Sequence, residues 1–149
     1  RVNYIFDNAD HARLQGLETV ASIKPLRGLT LSVSWQLLDA TDDTGARLEK
    51  RPRHQLALNA DWTDGRWRAG VRVEQQRGLL LSTGVAGQPL QAMPDITMAS
   101  LHAGLAISPT LDVGVGVFNL GNVDLAAKSP LFAYGEAPRT LRVTLRGRW

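Results

Sequence analysis

Residues 29–36 read LTLSVSWQ, and this stretch decides the fold class of the chain. Every odd-numbered residue in it is apolar, up to Trp35, whereas the residues between them are Thr, Ser, Ser and Gln. A period of two is that of a β-strand, in which successive side chains point to opposite faces. The stretch therefore predicts a strand with one apolar face and one face of hydroxyl and amide groups.

The same alternation extends outward from this stretch along most of the chain. It recurs at 55–62, 66–74, 99–107, 111–117 and 141–149, with weaker strands at 13–23 and 2–6. Helical spacing is not sustained anywhere. The pattern predicts an all-β chain of about eight antiparallel strands, each near the ~9–11 residues of a tilted membrane-spanning strand.

The connections between these strands are of two alternating kinds. Tight connections are predicted at 24–28, 64–65 and 108–110, where Gly, Pro, Asp and Ser supply turn geometry. Long connections without clear periodicity alternate with them, at 41–52, 78–95 and 121–138. Short turns at one end of the strands and long loops at the other are typical of outer-membrane β-barrels.

The composition excludes several other classes of protein. With 149 residues, 44% hydrophobic and 21% charged, the chain has room for one ordinary domain and is too apolar to be disordered. No run approaches the ~20 apolar residues of a membrane helix, and the lack of cysteine excludes disulfides and thiolate sites. The net charge of +3 is scattered, which does not indicate nucleic acid as a partner. No secretory signal is present at residues 1–6, which read as the middle of a strand, so we expect a piece of a longer protein.

The polar face of the predicted strands indicates which side meets lipid. It combines Ser, Thr, Gln and Gly with single arginines, whereas the outer surface of a soluble barrel normally carries Lys and Glu. The polar face thus resembles a water-lined interior, and the apolar face is predicted to point outward. Trp62 and Trp67 flank the turn at 64–65 on the apolar face, and Trp149 ends the chain. We interpret these three as an aromatic girdle at headgroup depth; three core tryptophans of a soluble sheet are the alternative.

Several short motifs occur in an order that is found in one family. They are Asn8 to Ala12 with Gly16, Leu17 and Glu18; Trp35 to Asp42, similar to SYTYLDA; Gly45, Leu48, Arg51, Pro52 and His54, similar to TG..L..RP.H; Val117 to Leu120 with Gly121 and Asn122, similar to V.NL.D; and Pro138 and Arg139, similar to PGR. In this order and spacing they resemble the C-terminal part of a TonB-dependent outer-membrane receptor, over essentially the whole chain. The chain lacks the glycine of PGR and has Asn122 where the family often has aspartate.

The resemblance implies an antiparallel transmembrane β-barrel of about 22 strands, closed around an N-terminal plug domain. Residues 1–149 would form the C-terminal part of the barrel domain, with the plug domain and the TonB-contacting segment outside the chain. The implied partners are outer-membrane lipid, the plug domain, the TonB complex and a metal chelate such as a ferric siderophore. Haem and cobalamin are equally open as ligands, and the implied location is the outer membrane of a Gram-negative cell.

The last predicted strand also resembles the signal that the barrel-assembly machinery reads, a final aromatic residue preceded by alternating apolar residues. Here these positions are Leu141, Val143, Leu145 and Trp149, while Gly147 replaces a frequent aromatic residue. We therefore expect this machinery to be a further partner.

Charged residues on the polar face are predicted to line the lumen or to face the plug domain. They are Glu18, Glu74, Arg68, Arg72, Arg142 and Arg146. In the family that the chain resembles, barrel glutamates pair with plug arginines, so Glu18 is expected to do the same, whereas Glu74 shares its face with arginines. The arginines could hold an anionic ferric chelate or balance acidic plug residues.

The histidines do not form a catalytic or metal-binding pattern. His11, His54 and His102 lie on different segments, without a nucleophile or carboxylate at a catalytic spacing. The sequence therefore predicts no enzyme activity, no metal site and no cofactor. His11 and His54 could still offer a ligand to haem iron, or they could simply be solvated.

Two further patterns have plain structural alternatives. Gly114 and Gly116 begin like a phosphate-binding loop, but no helix follows, so we interpret them as small residues of a strand. In the loop at 78–95, Leu79 to Leu81 and Met93 either offer apolar surface to a captured molecule or line the wall.

Two other interpretations of the whole chain stay open. A free-standing barrel of about eight strands fits the strand count, although its filled interior should pair acids with bases, and this polar face has more arginines than carboxylates. A soluble β-sandwich binding module would be monomeric without detergent, whereas open sheet edges and an exposed apolar face predict aggregation.

Overall fold

A computed structural model describes residues 11–132 and 135–147. The long strands are β1 Arg13–Leu26, β2 Leu29–Thr41, β3 His54–Asp64, β4 Trp67–Arg77, β7 Ile96–Ser108, β8 Leu111–Phe118 and β9 Thr140–Gly147; the short strands are β5 Leu80–Leu81 and β6 Gln91–Ala92. The seven long strands form one antiparallel sheet in the order β1-β2-β3-β4-β7-β8-β9, with β1 and β9 at its edges. The prediction of an all-β chain of antiparallel strands is confirmed, while the strand predicted at 2–6 lies outside the described residues.

The register of the sheet aligns the apolar side chains of neighbouring strands on one side. One row runs through successive partners on β2, β3, β4, β7 and β8, namely Leu31, Ala60, Val71, Leu101 and Val117. The adjacent row, on the opposite side, contains Ser32, Asn59, Arg72 and Ser100. Because side chains alternate along each strand, this register extends the alternation of single strands to the whole sheet. We call the two sides the apolar face and the polar face.

Three two-residue turns join the strands at one end of the sheet, which we call the turn end. They connect β1 to β2, β3 to β4 and β7 to β8. Gly28 and Gly65 adopt positive φ values of 80° and 54° in the first two turns. Gly28 also lies against the end of β3, where the Thr63 N–H donates to the Gly28 carbonyl oxygen at 2.8 Å. A Cβ at Gly28 would lie 2.1 Å from the Thr63 carbonyl oxygen, so this turn requires glycine.

Three long connections lie at the opposite end, which we call the loop end; they are loop A (42–53), loop B (78–95) and loop C (119–139). Loop B contains the β5–β6 hairpin and loop C contains the helix α1 (Leu125–Lys128), neither of which was predicted. Buried side chains of loops B and C pack with the first residue of β7 into one cluster, the loop core. It consists of Leu79, Leu81, Met93, Ile96, Leu125 and Phe132.

The loop core lies over the polar face of the sheet. Ile96 pairs with Gln76, and Met98, which packs against the loop core, pairs with Glu74. Both positions belong to the polar face, so loops B and C fold across this face. Within residues 11–132 and 135–147, no helix is long and apolar enough to cross a membrane.

Candidate functional site

The charged residues singled out in the sequence all lie on the polar face. Their strand partners are Gln36 for Glu18, Gly104 for Arg68, Asn59 for Arg72, Ala57 for Glu74, Gly116 for Arg142 and Asp112 for Arg146. Each of these partners is itself a polar-face position in the register. Their placement is compatible with a role in lining a lumen or facing a plug, which stays a prediction.

Arg68 forms an ion pair that crosses a whole strand. Its Nη1 donates to Asp112 Oδ2 at 2.8 Å, and its Nη2 contacts Asp112 Oδ1. The guanidinium passes over Gly104 of β7, where an added Cβ would lie 2.5 Å from Arg68 Nε. Gly104 therefore makes room for a bridge from β4 to β8, and the Arg68 charge is balanced within the sheet.

Glu74 and Glu18 differ in their surroundings. Arg72 donates to Glu74 Oε1 at 2.6 Å and to Asn59 Oδ1 at 2.8 Å, so Glu74 has a partner on its own strand. Glu18 makes no side-chain hydrogen bond or ion pair with any other described residue. Of the two glutamates, Glu18 is thus the one that is open to a partner outside the sheet.

Asp61 and His102 form a polar pair that the sequence analysis did not predict. Asp61 Oδ1 lies 3.6 Å from His102 Nε2, across β4. The strand between them carries Gly70, where an added Cβ would lie 2.3 Å from His102 Cε1 and 2.6 Å from Asp61 Oδ1. An isolated glycine within a strand signals close approach by a neighbour, and Gly70 was the available indication of this pair.

The turn end of the polar face carries a polar cavity of about 500 Å³, lined in part by Arg68, Asp112, Thr144 and Arg146. Gly114 also lines this cavity. Gly114 and Gly116 both belong to β8. Both glycines are therefore small polar-face residues of a strand, as interpreted from the sequence, and they do not form a phosphate-binding loop.

Arg142 lies on an aromatic ring of the neighbouring strand. Its guanidinium carbon is 4.9 Å from the centre of the Phe118 ring. The ring in turn covers Gly116, where an added Cβ would lie 3.1 Å from Phe118 Cε2. The contact holds the Arg142 charge close to the wall while leaving its donors available.

The histidines do not converge on one site. His54 stacks on Trp35 with ring centres 6.3 Å apart, and both lie on the apolar face, so His54 does not point toward the polar face. His102 lies beside Asp61 on the polar face, and His11 precedes β1. In the part of the chain that the structure describes, no group of three or more His, Asp or Glu side chains could hold a metal ion.

Those of the predicted girdle and assembly residues that the structure describes lie on the apolar face. Trp62 and Trp67 flank the turn at Gly65 and are 39% and 56% exposed. Leu141, Val143 and Leu145 lie on the same face of β9 and are exposed. Trp149 lies outside the described residues.

Three of the apolar residues of loop B do not offer their side chains to a captured molecule, as one sequence-based interpretation held, whereas Leu80 of the same run is half-buried. Leu79, Leu81 and Met93 are all buried in the loop core, where they pack with Leu125 and Phe132 of loop C. For these three residues the interpretation was wrong, because a second loop, distant in sequence, covers them. The sequence contains no local signal for this contact.

Loop A is joined to loop B by hydrogen bonds. The Arg47 Nη2 donates to the Gly78 carbonyl oxygen at 2.7 Å, and the Lys50 N–H donates to the Leu80 carbonyl oxygen at 2.9 Å. The Ser82 N–H donates to Glu49 Oε2 at 3.0 Å. Together with the loop core, these bonds link the three loops into one structure at the loop end.

The V.NL.D-like motif organises loop C. Asn119 is buried, and its Nδ2 donates to the carbonyl oxygens of Val123 and Ala137, both at 2.9 Å. Asn122 Oδ1 accepts from the Arg139 N–H at 2.9 Å, and both asparagines have a φ of 50°. An aspartate would supply the same acceptor oxygen, so the departure from the motif at Asn122 preserves this hydrogen bond.

Loop A contains a carboxylate that caps its own turn. Asp42 Oδ1 accepts from the Thr44 hydroxyl at 2.7 Å and from the N–H groups of Thr44 and Ala46, both at 2.9 Å. These hydrogen bonds, that of the Thr44 side chain first, hold the pKa of Asp42 below its ordinary value of 3.8. The donors favour the charged form, so the turn and the ionised carboxylate stabilise each other.

Comparisons with known proteins agree on one architecture. A family model described as TonB dependent receptor-like, beta-barrel matches residues 1–120. Among solved structures, the chain is similar to the ferric-catecholate import receptor Fiu from K12 E. coli, with 20% identity over 91% of this chain and 21% of that one and a TM-score of 0.74. It is also similar to the ferripyoverdine receptor of the outer membrane of Pseudomonas aeruginosa, with 18% identity over 91% and 19% and a TM-score of 0.73.

A third similar structure is described as the copper transporter OprC, with 17% identity over 91% of this chain and 23% of that one and a TM-score of 0.72. A search of curated proteins finds no match. The chain spans about a fifth of the length of these solved proteins. At such identities the structural likeness shows the fold, and the family match comes from the sequence.

Proposed function

The chain belongs to the family of TonB-dependent receptor-like β-barrels, a family of transport receptors, and we propose that it forms part of the wall of an outer-membrane receptor for a metal chelate. Residues 1–149 would be the C-terminal part of the barrel domain, with the plug domain and the TonB-contacting segment on other parts of the protein. A ferric siderophore is the ligand class that we favour, because two similar structures are named as receptors for ferric chelates.

The observation that carries this proposal is the separation of the two faces across the whole sheet. Apolar residues remain exposed on one face of both central and edge strands, among them Leu58, Leu101, Val115 and Val143. Such a surface is stable when it contacts lipid. The other face carries charged and amide side chains that hydrogen-bond along the wall, which suits a water-filled interior with a plug.

The proposed partners follow from the two faces. Outer-membrane lipid contacts the apolar face, and the barrel-assembly machinery recognises the end of the chain through Leu141, Val143, Leu145 and Trp149. The plug domain contacts the polar face, where Glu18 is our proposed partner for a plug arginine. The TonB complex acts through the plug-bearing part of the protein.

Uptake of a labelled ferric siderophore by cells that express the full-length protein tests the function. We expect accumulation that requires TonB, measured as cell-associated ⁵⁵Fe in otherwise identical cells with and without TonB. Equal accumulation in the two strains would contradict active uptake. The mass of the native polypeptide is a second measurement: a species of 16.3 kDa would instead favour the small free-standing barrel.

The role of Glu18 is tested by reversing its charge. Glu18→Lys should release the plug and reduce uptake, measured as protease sensitivity of the plug together with ⁵⁵Fe accumulation. Asp43→Lys, in exposed loop A, is the matched control for the same change of charge. If both variants behave like the unmodified receptor, Glu18 does not hold the plug, although the receptor function itself would stand.

A further inference from the structure

Small side chains open a groove in the apolar face near the turn end. Ala69 and Ala103 are direct partners on β4 and β7, and Ala60 lies on β3 next to them. Trp62 and Leu29 stand on the side toward the turns. The groove has a volume of about 450 Å³ and continues into a second one of about 500 Å³, because Ala60 and Val71 line both.

Cationic side chains lie at the turns next to this groove. Arg27 and Arg66 are both exposed and belong to the first and second turns, on either side of Trp62 in the sheet. The hydrogen bond from Thr63 to Gly28 holds these two turns against each other. Neither arginine has an ion-pair partner among the described residues.

The charge at this edge of the groove is unbalanced. Asp64 is the acidic residue at the second turn, and it forms no ion pair with either arginine among the described residues. The nearby carboxylate of Asp112 is engaged by Arg68 on the polar face. An anion that reaches the turns from the apolar face would therefore meet cations that the protein has not neutralised.

We propose that the turn end of the apolar face binds one anionic phospholipid. One of its acyl chains lies in the groove formed by Ala60, Ala69 and Ala103, and its phosphate contacts Arg27 and Arg66. A guanidinium presents two parallel N–H donors to phosphate oxygens, and tryptophan prefers the depth of the lipid headgroups, where Trp62 would lie. A zwitterionic lipid fits less well, because its ammonium group would meet these same cations.

This proposal goes beyond the uptake function and does not depend on it. It requires that the apolar face contact lipid, but it requires neither a particular ligand nor energy from TonB. A receptor that transported nothing would still bind the lipid, and a receptor that lacked the lipid site could still transport.

Native mass spectrometry of the full-length receptor in detergent tests the proposal. The probes are phosphatidylglycerol and phosphatidylcholine with identical acyl chains. We expect one phosphatidylglycerol molecule to be retained in preference to phosphatidylcholine. In the double variant Arg27→Gln/Arg66→Gln, affinity for phosphatidylglycerol should fall about 25-fold, or roughly five-fold for each basic side chain lost at an anionic headgroup.

The matched control is Arg51→Gln/Arg53→Gln, which removes the same charge from exposed positions of loop A and should leave lipid retention unchanged. A separate variant, Ala69→Leu/Ala103→Leu, fills the groove and should reduce retention of both lipids. With the unmodified receptor, added salt should weaken retention of phosphatidylglycerol alone. Equal retention of the two lipids, or an unchanged affinity after loss of Arg27 and Arg66, would overturn the proposal.

Discussion

The two ends of the sheet are ordered by different means. At the turn end, two-residue connections depend on backbone geometry, with Gly28 and Gly65 at positive φ. At the loop end, long connections depend on buried side chains such as Leu125 and on hydrogen bonds such as those of Asn119. We therefore expect a substitution at the turn end to disturb the pairing of strands, and one at the loop end to disturb the loops alone.

The largest effect is expected from removing the most buried side chain of the loop core. Leu125 is 2% exposed, so Leu125→Ala should cost about 3 kcal/mol of local stability through lost burial and a cavity. Hydrogen exchange of the full-length receptor should become faster in residues 79–93 and 123–132 and stay unchanged in β2 to β4. Leu120→Ala, at a leucine that is 38% exposed, is the control and should have a much smaller effect. Faster exchange throughout the sheet would remove the distinction between the two ends.

Two glycines at the turn end differ in how much space surrounds them. Gly28→Ala should destabilise the barrel by about 2 kcal/mol or more, because the new Cβ meets the Thr63 carbonyl oxygen in addition to the strain of positive φ. Gly65→Ala should cost about 1 kcal/mol, since no atom lies within 4 Å of its added Cβ and only backbone strain remains. Urea unfolding of the refolded full-length receptor measures both. Equal losses would mean that the contact between the first turn and β3 is unimportant.

The smallest expected effect concerns pH and loop A. Because hydrogen bonds from Thr44 and its neighbours lower the pKa of folded Asp42, the stabilisation is present above the ordinary value of 3.8 and is lost as pH falls through the lowered pKa. Amide exchange at Thr44 and Ala46, corrected for intrinsic rates, should therefore lose protection as the pH falls below about 4. Asp42→Asn should abolish this dependence, and Asp43→Asn should retain it. A pH dependence that survives Asp42→Asn would assign it to another group.

The sheet could be predicted from the sequence because its signals are local. The alternation at 29–36 and in the other strands indicates which face each side chain points to. The turns at Gly28 and Gly65 carry glycine, the residue that a positive φ favours. The order of the strands follows because short turns and uninterrupted alternation leave each long strand to pair with its neighbour in the chain. Family motifs then indicated the barrel, which the family match confirmed.

The contacts of the site could not be predicted in the same way, because they depend on register between strands distant in sequence. Arg68 reaches Asp112 only because β7 places Gly104 between them, and Asp61 meets His102 only across Gly70. In the loops, no periodic pattern in the sequence indicates that Leu79 is buried against Leu125. Apolar residues that form an interior cluster could therefore be interpreted as an apolar surface for a ligand. Whether Glu18 and the arginines face a plug stays a prediction.

The shared loop core also has an evolutionary consequence. Leu79, Leu81 and Met93 come from one loop, whereas Leu125 and Phe132 come from another, yet they bury one another. Recombination that exchanged either loop alone would leave half of the hydrophobic cluster exposed to solvent. Selection would remove most such chimaeras. Loops B and C are therefore expected to be inherited as a single unit, and loop A is expected to diverge only where it keeps Arg47 and Glu49, whose side chains bond to the backbone of loop B.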